Sequence, residues 1–220
     1  MQKTRKIGLL IILLAIPIFF ILFFELFSTS HYAVPVFYEN GIDSLTACKS
    51  SQAAHRVKPL LTSDVADPQL QPPSHQFIDA VQIVYVLPTD CEYTCVNILE
   101  ELARVQGVLE NQAPPQIILI ASPDSPSLTV VSEKYQPSQL NWLLLEGTER
   151  QYPSFLQCEL VLPRTDIPLY ETFVLVDRLG QIRGYYQGTD PAEVDRLIAE
   201  IRVLEYSTNT NEDHAEDRAG

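Results

Sequence analysis

Basic residues are scarce in this chain, and their scarcity excludes partners before any motif is read. It has 15 Lys and Arg against 28 Asp and Glu, a formal charge of −13. Lys3, Arg5 and Lys6 stand ahead of the first apolar run and nothing basic follows until Lys49. The remainder is therefore more acidic than the whole. Such a surface repels nucleic acid and anionic lipid and suits a basic partner or a cation, while also keeping a domain soluble. Histidine is equally sparse: no histidine lies between His75 and His214. There is no Gly-x-Ser-x-Gly, no His-Glu-x-x-His and no phosphate-binding loop, which leaves hydrolase and nucleotide chemistry without support. No internal repeat is present.

What the chain does have begins with an apolar run from Ile7 to Phe24, interrupted only by Pro17. Its length, about 18 residues, is enough to cross a bilayer with little tilt. The sequence after it, Phe27-Ser28-Thr29-Ser30, is a poor signal-peptidase exit. We therefore expect a retained signal-anchor over 7–27 behind a cytoplasmic basic flank, 1–6. The positive-inside rule places everything after it on the extracytoplasmic side of the cell membrane, in a single-pass arrangement. Cysteines there are candidates for oxidation. Residues 28–76, rich in proline and polar residues, read as an extended spacer.

From 77 to 205 the pattern is that of one α/β domain. Val81–Leu87 is a buried β-branched strand, and Thr94–Leu109 carries the apolar spacing of an amphipathic helix. Gln116–Ile120 is a second strand, Leu128–Tyr135 a weaker helix and Asn141–Leu145 a third strand. Thr172–Val176 and Gln181–Tyr186 predict a hairpin turned by Asp177-Arg178-Leu179-Gly180. Asp190-Pro191-Ala192-Glu193 announces a final helix with an N-cap, a first-position proline and a capping-box glutamate. This order, βαβ followed by ββα, is the thioredoxin one: a central mixed sheet flanked by helices. The tail 206–220 is acidic and polar and is expected to be disordered.

The residues that speak to chemistry are Cys91-Glu92-Tyr93-Thr94-Cys95, set directly between the first strand and the first helix. With Thr89 as N-cap, Glu92 occupies the capping-box position and Cys91 the first turn. There the helix dipole favours a thiolate, while Asp90 and Glu92 oppose it. Cys91 and Cys95, four apart, share a helix face at a Cα separation of roughly 6 Å. Such a pair can close a disulfide or pinch a soft metal ion. Four cysteines allow three connectivities. Cys48 and Cys158 either pair with each other or one serves as a resolving thiol, and the sequence leaves both open. Pro168 is a candidate for the cis-proline that thioredoxin-like oxidoreductases place beside their dithiol.

The C-terminal block resembles that of the Sco/SenC family. It comprises Phe173-Val174-Leu175-Val176-Asp177 through Gly180, Ile182-Arg183-Gly184-Tyr185-Tyr186, Gly188-Thr189-Asp190 and Val194-Asp195-Arg196-Leu197. Asp124-Ser125-Pro126 is similar to the family's Asp-Thr-Pro. Tyr135 and Trp142, with Gly147 five residues after the latter, resemble its Trp-x-Phe-Leu-Thr-Gly. Cys91 and Cys95 fall where the family carries Cys-Pro-x-x-Cys-Pro, with Glu92 and Val96 in place of the prolines. The resemblance implies a membrane-anchored thioredoxin-like copper chaperone or assembly factor for a respiratory cytochrome c oxidase, with Cys91 and Cys95 as metal ligands. Its partners would be a cytochrome c oxidase subunit or a thiol partner protein. The family's third ligand, a histidine eight residues before the aspartate, corresponds here to Leu169, beside Tyr170. His31, His55, His75 and His214 are the remaining histidines, and His75 is the nearest in sequence to the first core strand. Two soft thiolates still suit Cu(I), without the imidazole that Cu(II) prefers. The alternatives are a thiol–disulfide oxidoreductase of the cell envelope with Cys91 and Cys95 as its redox pair, and a binding module that keeps only the fold.

Overall fold

The computed structural model describes residues 15–20, 23, 33–42, 48, 53–58, 80–112, 114–135, 140 and 142–216. Two units are distinguished, 1–33 and 34–220. In the first, residues 15–20 are helical, with Ile16, Ile18, Phe19 and Phe20 exposed. Most of the expected span Ile7–Phe24 lies outside the described residues. Among the described residues no helix is long and apolar enough to cross a membrane.

The second unit is built on a five-stranded sheet. β1 (Gln82–Val86) leads into α1 (Tyr93–Leu109), β2 (Gln116–Ala121), α2 (Pro126–Tyr135) and β3 (Trp142–Glu146). A short helix, Gln151–Ser154, runs on as a wider π-helical turn, Phe155–Glu159. A 3-10 turn, Leu169–Glu171, then delivers β4 (Thr172–Val176), β5 (Ile182–Gln187) and α3 (Pro191–Glu216). The strand order is β3-β2-β1-β4-β5. β1, β2 and β3 are parallel, whereas β4 runs antiparallel to β1 and β5 antiparallel to β4. The fold is thioredoxin-like: a mixed sheet whose central strand feeds the helix that carries the cysteine pair.

Every residue of β1 is buried, because both faces of the sheet are covered. Alternation divides the strand between two cores. Ile83 and Tyr85 join Ile98, Leu102, Leu197 and Ile201 from α1 and α3 on one face. Val84 and Val86 join Phe155, Leu160, Leu162 and Tyr185 on the other. Among the described residues, no long helix covers the second face. Its cover is the 152–169 segment together with Phe37, Tyr38 and Val57 from the region before the domain.

That cover changes the reading of 28–76 as a spacer, because its described parts pack on the domain. The Phe37 amide donates to the Ile182 carbonyl and the Val57 amide to the Gly180 carbonyl, each at 2.8 Å. Phe37 meets the Tyr185 ring edge-on, and Arg183 donates to the Val34 carbonyl. Gly180 sits at φ +77°, and a Cβ there would stand 3.3 Å from the Val57 carbonyl oxygen. The hairpin turn thus needs glycine both for its own geometry and for the strap pressed on it.

Two boundaries and one peptide bond differ from expectation. α1 starts at Tyr93 with Glu92 as N-cap, rather than at Thr89. The Glu92 amide turns back onto the Asp90 carbonyl at 3.1 Å, so the chain is still bending where the first helical turn was expected. α3 continues to Glu216 instead of ending near 205. No glycine or proline interrupts the chain between Pro191 and Gly220, so nothing in the sequence breaks the helix sooner. Pro168 does not follow a cis bond; among the described residues the cis peptide is Leu162–Pro163.

Candidate redox site

Cys91 and Cys95 are joined in a disulfide with a Cα separation of 5.1 Å, shorter than the roughly 6 Å of a regular helical turn. β1 brings them there. After Val86, the Leu87 amide still pairs with the Ile120 carbonyl at 2.8 Å, which keeps the strand end fixed on β2. Pro88, Thr89 and Asp90 then bend the chain, and the Val96 amide donates to the Glu92 carbonyl at 3.0 Å to open α1. Cys91, just ahead of the helix, is half-buried. Cys95, one turn in, is 3 % exposed and belongs to the α1 core with Ile98 and Leu99. Cys91 is therefore the more exposed residue of the pair and Cys95 the protected one. Between them in sequence, Tyr93 stands 80 % exposed.

The neighbouring loops are fixed to this turn. The Ser125 hydroxyl donates to the Thr89 carbonyl at 3.4 Å and shares a 2.7 Å hydrogen bond with Ser127. The Asp124 amide donates to the Glu146 carboxylate at 2.6 Å. On the other side the Tyr85 hydroxyl donates to the Tyr170 carbonyl at 3.0 Å, and the Thr172 hydroxyl to the Pro168 carbonyl at 2.8 Å. Burial, with a smaller push from Glu171, raises the Tyr85 phenol well above its ordinary value, so it remains a donor to that carbonyl.

Because β1, β2 and β3 are parallel, their C-terminal ends lie at one edge of the sheet, where β4 also begins. The acidic residues that follow these strands gather there: Asp90 and Glu92 after β1, Asp124 after β2, Glu146 ending β3 and Glu171 entering β4. Arg164, in the segment leading to β4, is paired with Asp166 at 2.8 Å.

Leu169 is half-buried against the core of Val174, Val176 and Tyr185, while Cys91 and Cys95 pack with the α1 core. The 3-10 turn that carries Leu169 also touches β1 and α1, the helix of the cysteine pair. Among the described residues no group of three or more His, Cys, Asp or Glu side chains is placed to hold a metal ion. His55 is engaged elsewhere, its Nε2 donating to the Glu159 carbonyl at 2.7 Å. His31 and His75, and the side chain of His214, lie outside the described residues.

No protein-family model matches the chain, and no curated protein matches it in sequence. Solved structures do. The chain is similar to a SCO1/SenC family lipoprotein from Bacillus anthracis str. Ames, at 17% identity over 58% of this chain and 83% of that one, with a TM-score of 0.48. It is similar to yeast Sco1 with copper bound, at 20% identity over 57% and 78%, TM-score 0.45. A thioredoxin-family thiol:disulfide interchange protein from Chlorobium tepidum TLS is similar at 14% identity over 60% and 84%, TM-score 0.44. At these identities, what the site does has to be read from this chain's own residues.

The second cysteine pair, which the sequence leaves open, is Cys48–Cys158, bridging 110 residues. It ties the strap to the π-helical turn. Neither spacing nor local pattern marks that partnership, since the two cysteines meet only after the strap has crossed the sheet. The acidic edge was equally hidden. Its members are scattered from Asp90 to Glu171, and only the strand order brings them together.

Proposed function

We propose that this chain is a Sco/SenC-type factor of the cell envelope, held to the membrane through 7–27 with its domain on the extracytoplasmic side. It acts through Cys91 and Cys95 as a two-electron dithiol–disulfide couple. In the reduced form the pair carries Cu(I) as cargo for assembly of a respiratory cytochrome c oxidase. The observation that carries this reading is the Cys91–Cys95 disulfide at the junction of the central strand and α1, with Cys91 half-buried and Cys95 buried.

The chemistry follows from that asymmetry. A partner thiolate attacks the half-exposed Cys91 sulfur, the Cys91–Cys95 bond breaks, and Cys95 leaves as a thiolate that takes a proton. A second partner thiolate then attacks the mixed disulfide and releases Cys91. Two electrons pass from the partner's dithiol to this chain, and the partner leaves oxidised. With both thiols free, Cys91 and Cys95 hold one Cu(I) between them, and Leu169 supplies nothing that would retain Cu(II).

Anaerobic titration of the reduced full chain with Cu(I), against a competing chelator, tests the proposal. One equivalent should bind, and either Cys91→Ser or Cys95→Ser should abolish it. A second reading, an envelope thiol–disulfide oxidoreductase without metal cargo, is favoured by a leucine, not an imidazole, at position 169. That reading takes over if no Cu(I) binds while the pair still exchanges with small disulfides. Cu(II) held tightly with an imidazole ligand would overturn both and make His75 the first residue to test.

A further inference from the structure

The Cys48–Cys158 disulfide is not sealed in a core. Both residues are half-buried and wall a cavity of about 480 Å³. The exposed Arg56 and Lys58 line the same cavity, as do His55 and small residues such as Ala53 and Ala54. Glu159 is the one carboxylate among the described residues of the lining, and its Oε2 already accepts the Lys58 amide at 2.8 Å. The described lining of this disulfide thus carries two cationic side chains against one carboxylate, whereas acidic residues gather at the sheet edge beside Cys91–Cys95.

We propose that Cys48–Cys158 is a second, separately addressed redox site that takes anionic low-molecular-weight thiols. The thiolate enters the cavity and attacks one sulfur, the S–S bond opens, and the departing cysteine thiolate takes a proton from water. A second anionic thiolate attacks the mixed disulfide, releasing the other cysteine and the small disulfide. Two electrons pass from two small thiols to the bond, which balances the step. Opening it removes the covalent tether of the strap, leaving its contacts with β5 to hold it. Arg56 and Lys58 raise the local concentration of anionic thiolate and stabilise the cysteine thiolate as it departs. The inference stands apart from whatever role Cys91–Cys95 has.

The test uses the oxidised full chain mixed with 3-mercaptopropionate, 2-mercaptoethanol or cysteamine, with neutral hydroxyethyl disulfide in the same tube as reference. Samples are quenched in acid, alkylated and mapped by mass for each cysteine pair. Dividing by the reference rate cancels each thiol's own pKa and nucleophilicity. For Cys48–Cys158 the normalised rate should rise about fivefold to tenfold from cysteamine to 3-mercaptopropionate at low salt, and the rise should shrink to about twofold at 1 M salt. The Arg56→Gln, Lys58→Gln double variant should flatten it. Cys91–Cys95, read in the same digest, should show the opposite trend. A Cys48–Cys158 rate that keeps the same ratio to the reference for all three thiols overturns the proposal, and so does a pair that none of them opens. Failure of Cys91–Cys95 to exchange would overturn only the function proposed above.

Discussion

Removing the Cys48–Cys158 disulfide should be among the most destabilising changes that leave the sheet intact. The perturbation is the double variant Cys48→Ala, Cys158→Ala, which leaves no stray thiol to scramble with the other pair. Closing a loop of 110 residues restricts the unfolded chain by about 5 kcal/mol on the loop-entropy relation. The same relation gives about 2 kcal/mol for Cys91–Cys95, which closes a separation of only 4. The structure adds a local term to the long loop. Without the tether, the strap that buries Phe37, Tyr38 and Val57 depends on its remaining contacts, among them the Phe37 and Val57 backbone hydrogen bonds. For a domain of this size each kcal/mol moves Tm by about 2–4 °C, so the double variant should melt about 10–20 °C lower. Far-UV circular dichroism of the full chain without reductant measures it, and hydrogen exchange at the Phe37 and Val57 amides reports the strap directly. A drop under about 3 °C, or a larger drop for Cys91→Ala, Cys95→Ala, would refute the reasoning that the long bridge is the main covalent constraint.

Leu169→His should lower stability by about 1–3 kcal/mol in a urea melt, because a polar imidazole would replace a side chain half-buried against Val174 and Val176; an unchanged midpoint would show that the ring turns out to solvent. Asp177→Ala should lower stability by about 2–4 kcal/mol, since its carboxylate accepts the Leu179 and Gln181 amides, each at 2.9 Å, and pairs with Arg183 at 3.1 Å where both side chains are largely buried. Gly188→Ala should lower stability by about 1–3 kcal/mol, because the new Cβ would stand 2.6 Å from the ring of the buried Phe173; a neutral result in the same melt would mean that the ring can shift. Burial, reinforced by Tyr170, pushes the Tyr152 phenol from 10.0 up to about 12, so the folded state keeps a proton that the unfolded state gives up. Its stabilising contribution is then complete below pH 10 and is lost as pH rises from 10 through 12, and Tyr152→Phe should flatten that part of a stability-versus-pH curve measured by urea melts.

The elements that carry the site were legible because their signals are local. β1 and β2 read as uninterrupted apolar runs, α1 as a helical stripe, and Asp177 to Gly180 as a turn, each within a window of a few residues. The last helix announced itself, and its cap is as expected: the Ala192 amide donates to Asp190 Oδ1 at 2.9 Å. Glu193, expected to close a capping box, instead binds Arg196 at 2.5 Å, since a long side chain one turn further along offers a charged partner. The start of α1 was misplaced because a turn at Asp90, not the capping preference of Thr89, decides where the helix begins.

By itself the sequence determined the order of the five strands and three longer helices, the strand-to-helix position of Cys91 and Cys95, and the acidity of the chain, but not the short helical turns between β3 and β4. Periodicity, turn chemistry and composition are properties of neighbouring residues and need no partner to be read. Only the tertiary structure decided which way Leu169 faces, that the described parts of 28–76 cover a sheet face, and that Cys48 meets Cys158. It also decided that Asp90, Glu92, Asp124, Glu146 and Glu171 share one edge of the sheet. Those outcomes rest on contacts between distant segments. Their free energy comes from burying one segment against another, and no window of the sequence contains both sides of such a contact.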